Sequence, residues 1–275
     1  MRRRYLDAIA LVQKYGKPNL FITMTCNPDW VEIQEELKQG QVPQDRLDLT
    51  ARIFRAKLHD LKDQLFKKGI LGKVAAHVHV VEFQKMGLPH AHILKIMHKD
   101  FKITNADVFD KFVCAEIPDF NEDPVLHEKV VKHMMHGPYG DLNKLNACMR
   151  NGVCKSRYPR SFIENTMQGK DSYPIYRRRN TGIQVKVRRH YLDNRWVVPY
   201  NSYILTRYDC HINVEICSGL KAIKYLYKYA YKGHDRVAVS ISHGNGEYLL
   251  DEIKQYRDAR WVSVLEAMWR IWNSI

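Results

Sequence analysis

Residues 80–94 read Val80-Val-Glu-Phe-Gln-Lys-Met-Gly-Leu-Pro-His-Ala-His-Ile-Leu94 and constrain the chain more than any other stretch. Apolar runs flank Lys85-Met86-Gly87-Leu88-Pro89, whose Gly and Pro suit a chain reversal, so the stretch reads as a β-hairpin. Side chains alternate across a strand, so His90 and His92 leave one face and Ala91 and Ile93 the other. Two imidazoles placed in this way can serve one metal ion. A register that pairs residue 82 with 92 and 84 with 90 brings Glu82 and Gln84 to the histidine face. Glu82 is then the natural third, oxygen ligand, and a slip of one residue removes it. A half-buried strand with merely hydrogen-bonded histidines satisfies the same pattern. His77-Val78-His79 is a second His-x-His, and in this register it faces away from Glu82, His90 and His92, toward the core or a helix.

The chain is 275 residues long with 45% hydrophobic content, enough for one large domain or two small ones. It has no apolar run long enough for a spanning helix, and Met1-Arg-Arg-Arg-Tyr5 lacks the apolar stretch of a secretory signal. The 44 Lys and Arg against 30 Asp and Glu leave a charge of +14, which favours a polyanionic partner, most simply nucleic acid. A membrane surface is the rival, but no strongly basic amphipathic helix stands out. Six unevenly spaced cysteines do not make a disulfide framework and suit a reducing, intracellular setting with thiols free for metal. No Gly-x-x-x-x-Gly-Lys-[Ser/Thr] loop occurs, so the chain carries no P-loop ATPase.

Periodicity predicts strands at 20–26, 73–84, 89–97 and 211–217, and a weaker one at 182–189 with 195–198 as its partner. It predicts helices at 5–15, 30–39, 46–68, 107–114, 123–135 and 220–232, with further helices at 249–259 and 262–272. Residues 136–193 are rich in Gly, Pro, Asn and Arg and read as an irregular insertion.

The second unusual stretch is Lys224-Tyr-Leu-Tyr-Lys-Tyr-Ala-Tyr-Lys232. On a helix, Tyr225 and Tyr229 share one face, Tyr227 and Tyr231 another, and Lys224, Lys228 and Lys232 form a ridge beside them. A core helix with snorkelling lysines explains this equally. So does a nicking site: a phenol of pKa near 10 needs a nearby Lys and a metal-bound phosphate to attack a phosphodiester at neutral pH. Glu82, His90 and His92 would hold Mn2+ or Mg2+ as the Lewis acid. The product would be a 5′-phosphotyrosine whose retained bond energy permits strand transfer without ATP.

Taken in order, four stretches resemble the HUH-type replication-initiator nuclease domain of Helitron rolling-circle transposases. They are Phe21-Ile-Thr-Met-Thr-Cys-Asn-Pro-Asp-Trp30, Glu82 to His92, His133-Met-Met-His-Gly-Pro138 with Cys148 and Cys154, and Lys224 to Asp235. The resemblance implies that His90 and His92 are the metal histidines and that Tyr225 and Tyr229 are paired nucleophiles, with Lys228 and Lys232 beside them. Glu82 as third ligand follows from the general HUH pattern together with the hairpin register. The implied fold is α+β, a central antiparallel sheet flanked by helices around an RNA-recognition-motif-like core. Residues 1–115 and 194–275 are then the two parts of that core, and 116–193 an insertion. His133, His136, Cys148 and Cys154 supply two imidazoles and two thiolates, a tetrahedral zinc set, although Tyr139 stands where the family is expected to have Cys. Asn27, Trp30, Gln84 and the Arg177-Arg178-Arg179 run are expected to touch DNA, as are Arg188 and Arg189.

The expected function is a metal-dependent, tyrosine-type nuclease and strand transferase acting on single-stranded DNA in the nucleus. A superfamily 1 helicase normally belongs to the same polypeptide, so the chain is expected to be a fragment, a truncated copy or a separately encoded domain. The rival readings are a domesticated, non-catalytic DNA-binding module and an RNA-binding protein that uses the same sheet.

Overall fold

The computed structural model describes residues 10–83, 88–103, 105–137, 148–169 and 174–217, together with 267 and 269. Its centre is a four-stranded antiparallel sheet of β1 (Leu20–Thr25), β2 (Val74–Phe83), β3 (Pro89–Met97) and β10 (Ile212–Ile216). Their spatial order is β10-β1-β3-β2. Among the described residues it is accompanied by a helical run at 10–15 and by α1 (Val31–Gln34), α2 (Leu47–Lys62), α3 (Pro124–His133) and α4 (Ser202–Tyr208). Among the described residues, three short ribbons lie between α3 and α4: β4 (Met149–Arg150) with β5 (Val153–Cys154), β6 (Met167–Gln168) with β7 (Pro174–Ile175), and β8 (Val185–Val187) with β9 (His190–Leu192). The fold is therefore α+β with a central antiparallel sheet, as the strand pattern implies.

The sheet has two unlike faces because each strand alternates. Leu20, Ile22, Met24, Ala91, Ile93, Ile212 and Val214 point to one side and are fully buried. The apolar stripe of α2, Phe54, Leu58, Leu61 and Leu65, joins the same core. Burying each such side chain contributes about 1.5–3 kcal/mol. Trp269 packs near this core, 5.9 Å from Phe54 between ring centroids. The opposite face carries Glu82, His90, His92, Thr23, Thr25 and Asn213 at one end. At its other end Phe21, Leu94 and Cys217 form a small apolar patch with Val12 and Val78 against it.

A charged side chain is fully buried on the core face of the sheet. Lys95 lies fully buried on the helix side of β3. Its ammonium donates to the carbonyls of Leu65 (3.1 Å), Leu71 (3.1 Å) and Gly72 (2.7 Å). These belong to the turn where α2 ends, and a helix end leaves carbonyls without partners. Burial pulls the Lys95 amine down to about 8. Lys95→Ala orphans three carbonyls and leaves a cavity, so it is expected to lower unfolding free energy by about 3 kcal/mol in urea titration. The native amine releases its proton near pH 8 and the unfolded one near 10.5, so unfolding takes up a proton between these values. Wild type should therefore gain stability over Lys95→Ala as pH rises through that window.

Several local expectations are corrected. The helix expected at 30–39 is only Val31–Gln34, and that at 107–114 is a 3-10 helix over Ala106–Lys111. Residues 195–198 do not pair with the 182–189 strand, because β8 turns directly into β9 and Asn194–Trp196 is a 3-10 helix. Helix α4 falls where no helix is predicted. Asn201 caps it, its side-chain oxygen accepting from Ile204 N at 3.2 Å, and Asp209 closes it in the left-handed region at φ 44°. Leu126, Val130, Met134 and Val185 of the 116–193 stretch belong to the main core. Cys154, Tyr158, Leu192 and Trp196 form a smaller cluster.

Candidate functional site

The hairpin pairs Glu82 with His90 and Val80 with His92. The register assumed from sequence, 82 with 92, is thus off by two residues. A shift of two preserves which face each side chain takes, so Glu82 still projects beside both histidines. His92 Nε2 lies 3.6 Å from Glu82 Oε2. The rings of His90 and His92 are 4.5 Å apart and inclined by 73°. Two imidazoles and one carboxylate share the outer face, His92 and Glu82 side by side, and these donor types are a mixed set that suits Mn2+ or Mg2+.

The strands on either side fix these side chains. Thr25 of β1 is paired with His90, and its Oγ1 is hydrogen-bonded to His90 Nδ1 at 2.7 Å. His92 lies flat along Phe21, with centroids 5.8 Å apart and planes 13° apart. The other His-x-His takes the helix side. His77 stacks on Phe66 at 3.7 Å, and His79 Nε2 lies 3.3 Å from Lys62 Nζ. Burial holds the His77 imidazole below its ordinary value, with the Lys62 charge adding to the effect.

A second group gathers at the end of α3. His136 Nε2 is 3.7 Å from Cys148 Sγ and 3.5 Å from Cys154 Sγ, and the two sulfurs are 3.4 Å apart. Tetrahedral zinc with bonds of about 2.1–2.3 Å separates its ligand atoms by roughly 3.5–3.8 Å, close to these values. Among the described residues, these three form the His, Cys and carboxylate group whose donor atoms all lie within 4.8 Å of one another. Burial, with the His211 and Arg160 charges, pulls His136 to about 4, which keeps its ring neutral and able to donate a lone pair. Burial pushes the Cys148 thiol up, but hydrogen bonding from Cys154, Ser156 and the nearby backbone outweighs it and leaves the thiol below its ordinary value. Tyr158 stacks on His136 at 4.1 Å.

His133 does not join this group. Its Nε2 lies 3.2 Å from Asp209 Oδ1, turned toward the α4–β10 corner, so the expected two-histidine set is corrected to His136, Cys148 and Cys154. The corner is tied to the sheet. His211 Nδ1 donates to His133 O at 2.7 Å, and Thr25 N donates to His211 O at 2.9 Å. The residue that touches His90 is thereby linked through the backbone to the helix leading into His136.

The expected DNA contacts fare differently. Asn27 and Trp30 are buried. Asn27 Nδ2 donates to Asp209 O at 2.8 Å, and Trp30 Nε1 donates to Tyr208 O at 2.8 Å. They lock the β1–α1 loop to the end of α4 and do not present themselves at a surface. Arg178 is 4% exposed and donates to the carbonyls of Ala115 (3.2 Å) and Asn194 (2.6 Å), which removes it from any open face. Arg179 grips Glu116 with two guanidinium nitrogens, at 3.0 and 2.8 Å, and Arg177 Nε lies 3.3 Å from the same carboxylate. Gln84, Tyr225, Lys228, Tyr229 and Lys232 lie outside the described residues. Sequence reading missed Thr25, although the Thr23-x-Thr25 spacing matches the His90-x-His92 spacing it pairs with.

No helix among the described residues is long and apolar enough to cross a membrane. No curated protein matches the sequence. The stretch from the N-terminus through β1, α1, α2, β2 and most of β3, residues 1–95 and about a third of the 275, matches the family described as the Helitron helicase-like domain at N-terminus.

Proposed function

We propose that the chain is the nuclease part of a Helitron-type transposition protein, cutting and transferring single-stranded DNA through tyrosine. The observation that supports this reading is that Glu82, His90 and His92 share the outer face of a sheet whose other face is covered by α2. The match of residues 1–95 supports the Helitron connection, and the charge of +14 supports a phosphate-backbone partner.

Glu82, His90 and His92 would hold the divalent ion, which when bound supplies Lewis-acid polarisation of the scissile phosphate. Tyr225 or Tyr229, placed by sequence spacing on one face of a helix, attacks the phosphorus through its phenolic oxygen. The bond from phosphorus to the 3′-oxygen breaks, the 3′-oxygen leaves and takes up a proton, and a 5′-phosphotyrosine ester forms. Lys228 and Lys232 lower the cost of ionising the phenol. The second tyrosine can accept a second strand, the requirement of rolling-circle transfer. A superfamily 1 helicase in the same polypeptide would supply unwinding, and the nucleus is the proposed setting.

His136, Cys148 and Cys154 form a candidate metal group of a different kind, and zinc is the proposed occupant. Two thiolates and an imidazole suit a structural ion rather than a phosphate-polarising one. The test of the nuclease reading is covalent capture of DNA. The double variant Tyr225→Phe/Tyr229→Phe should lose the protein–DNA adduct entirely, and an adduct of undiminished yield would refute the assignment of the nucleophiles.

A further inference from the structure

The two threonines of β1 stand opposite the two histidines of β3, Thr25 against His90 and Thr23 against His92. The histidines are nevertheless held by different means. His92 rests on the Phe21 ring, while His90 Nδ1 is hydrogen-bonded to the Thr25 hydroxyl at 2.7 Å. The backbone around Thr25 is pinned from both neighbours. Thr25 N donates to His211 O at 2.9 Å, and Cys26 N donates to Pro89 O at 3.0 Å. A β-branched side chain on so fixed a backbone has few rotamers, so its hydroxyl is a stiff partner.

An imidazole binds a metal through one nitrogen and carries its proton on the other. With Nδ1 facing Thr25, Nε2 is the nitrogen left to point elsewhere. We propose that Thr25 is the positioning residue of this metal centre: its hydroxyl oxygen accepts from His90 Nδ1–H and so turns the Nε2 lone pair toward the ion. The inference rests on the reading of Glu82, His90 and His92 as metal ligands. A neutral hydroxyl suits the task better here than a carboxylate would. It fixes the tautomer without adding a negative charge beside Glu82, where an anionic phosphodiester must approach.

The test uses the whole chain, with Mn2+ alone as the probe. Titration calorimetry on wild type, Thr25→Val and Thr25→Ser separates hydroxyl from shape, since valine keeps the volume and serine keeps the oxygen. Thr25→Val should bind Mn2+ about ten- to a hundredfold more weakly, and Thr25→Ser should stay within about threefold of wild type. Equal Mn2+ affinity in Thr25→Val and wild type overturns the inference. It leaves the nuclease reading intact if His90→Ala still abolishes binding. A wild type that binds no Mn2+ overturns both. Long-range 1H–15N NMR of the imidazoles in wild type gives an independent check that needs no variant to fold. His90 should be the Nδ1–H tautomer, and an Nε2–H tautomer in the Mn2+-free protein overturns the inference.

Discussion

Replacing His90 with alanine is expected to slow single-strand cleavage by about a thousandfold, while single-strand binding stays within about threefold of wild type. Removing one of the two proposed imidazole ligands should sacrifice several kcal/mol of transition-state charge stabilisation, and about 4 kcal/mol corresponds to a thousandfold in rate. The loss in fold is small by comparison. His90 is half-buried at the outer face, and the variant forfeits one hydrogen bond to Thr25, about 1 kcal/mol. Binding should be spared because the net charge of +14 is unchanged, and it should weaken steeply with added salt in wild type and variant alike. Single-turnover cleavage at saturating Mn2+ and fluorescence anisotropy on the same oligonucleotide measure the two quantities. A rate loss below about tenfold would mean that His90 is not a ligand.

The double variant Cys148→Ser/Cys154→Ser should have the largest effect on stability. The wild-type chain is expected to carry stoichiometric zinc by elemental analysis and the variant none. Zinc bound at a folded site adds its binding free energy to folding, so the variant should lose about 4 kcal/mol or more, a fall in Tm of roughly 10 °C. Its reach extends to the sheet through His136, the end of α3, the His133 carbonyl and His211, whose own carbonyl holds Thr25 N. A zinc-free wild type with unchanged melting on chelation would contradict the structural role.

Legibility in the sequence followed the range of the interaction. The histidine face was readable because strand parity is a local property. The pairing register was misjudged by two residues, yet Glu82, His90 and His92 still emerge on one side. The core stripe of α2 and the His77-Val78-His79 decoy were readable for the same reason. What failed depended on partners far along the chain. Asn27 and Trp30 look like ligand contacts beside a motif, but residues 208 and 209 bury them. Arg178 looks like part of a basic surface until the carbonyls of Ala115 and Asn194 are folded against it. His133 had the right spacing for the thiolate group, yet Asp209, 76 residues on, takes it. Lys95, a charge in an otherwise apolar strand, could not be placed until the carbonyls at the end of α2 came to meet it.

Glu82, His90 and His92 are proposed to hold the ion for a tyrosine that becomes joined to DNA. Incubating the chain with Mn2+ and a 3′-labelled, random-sequence single-stranded DNA pool, then resolving it under denaturing conditions, tests this most directly. A labelled protein–DNA adduct should form that requires Mn2+ and disappears in His90→Ala. Binding of the pool by wild type with no adduct formed in Mn2+ would contradict it.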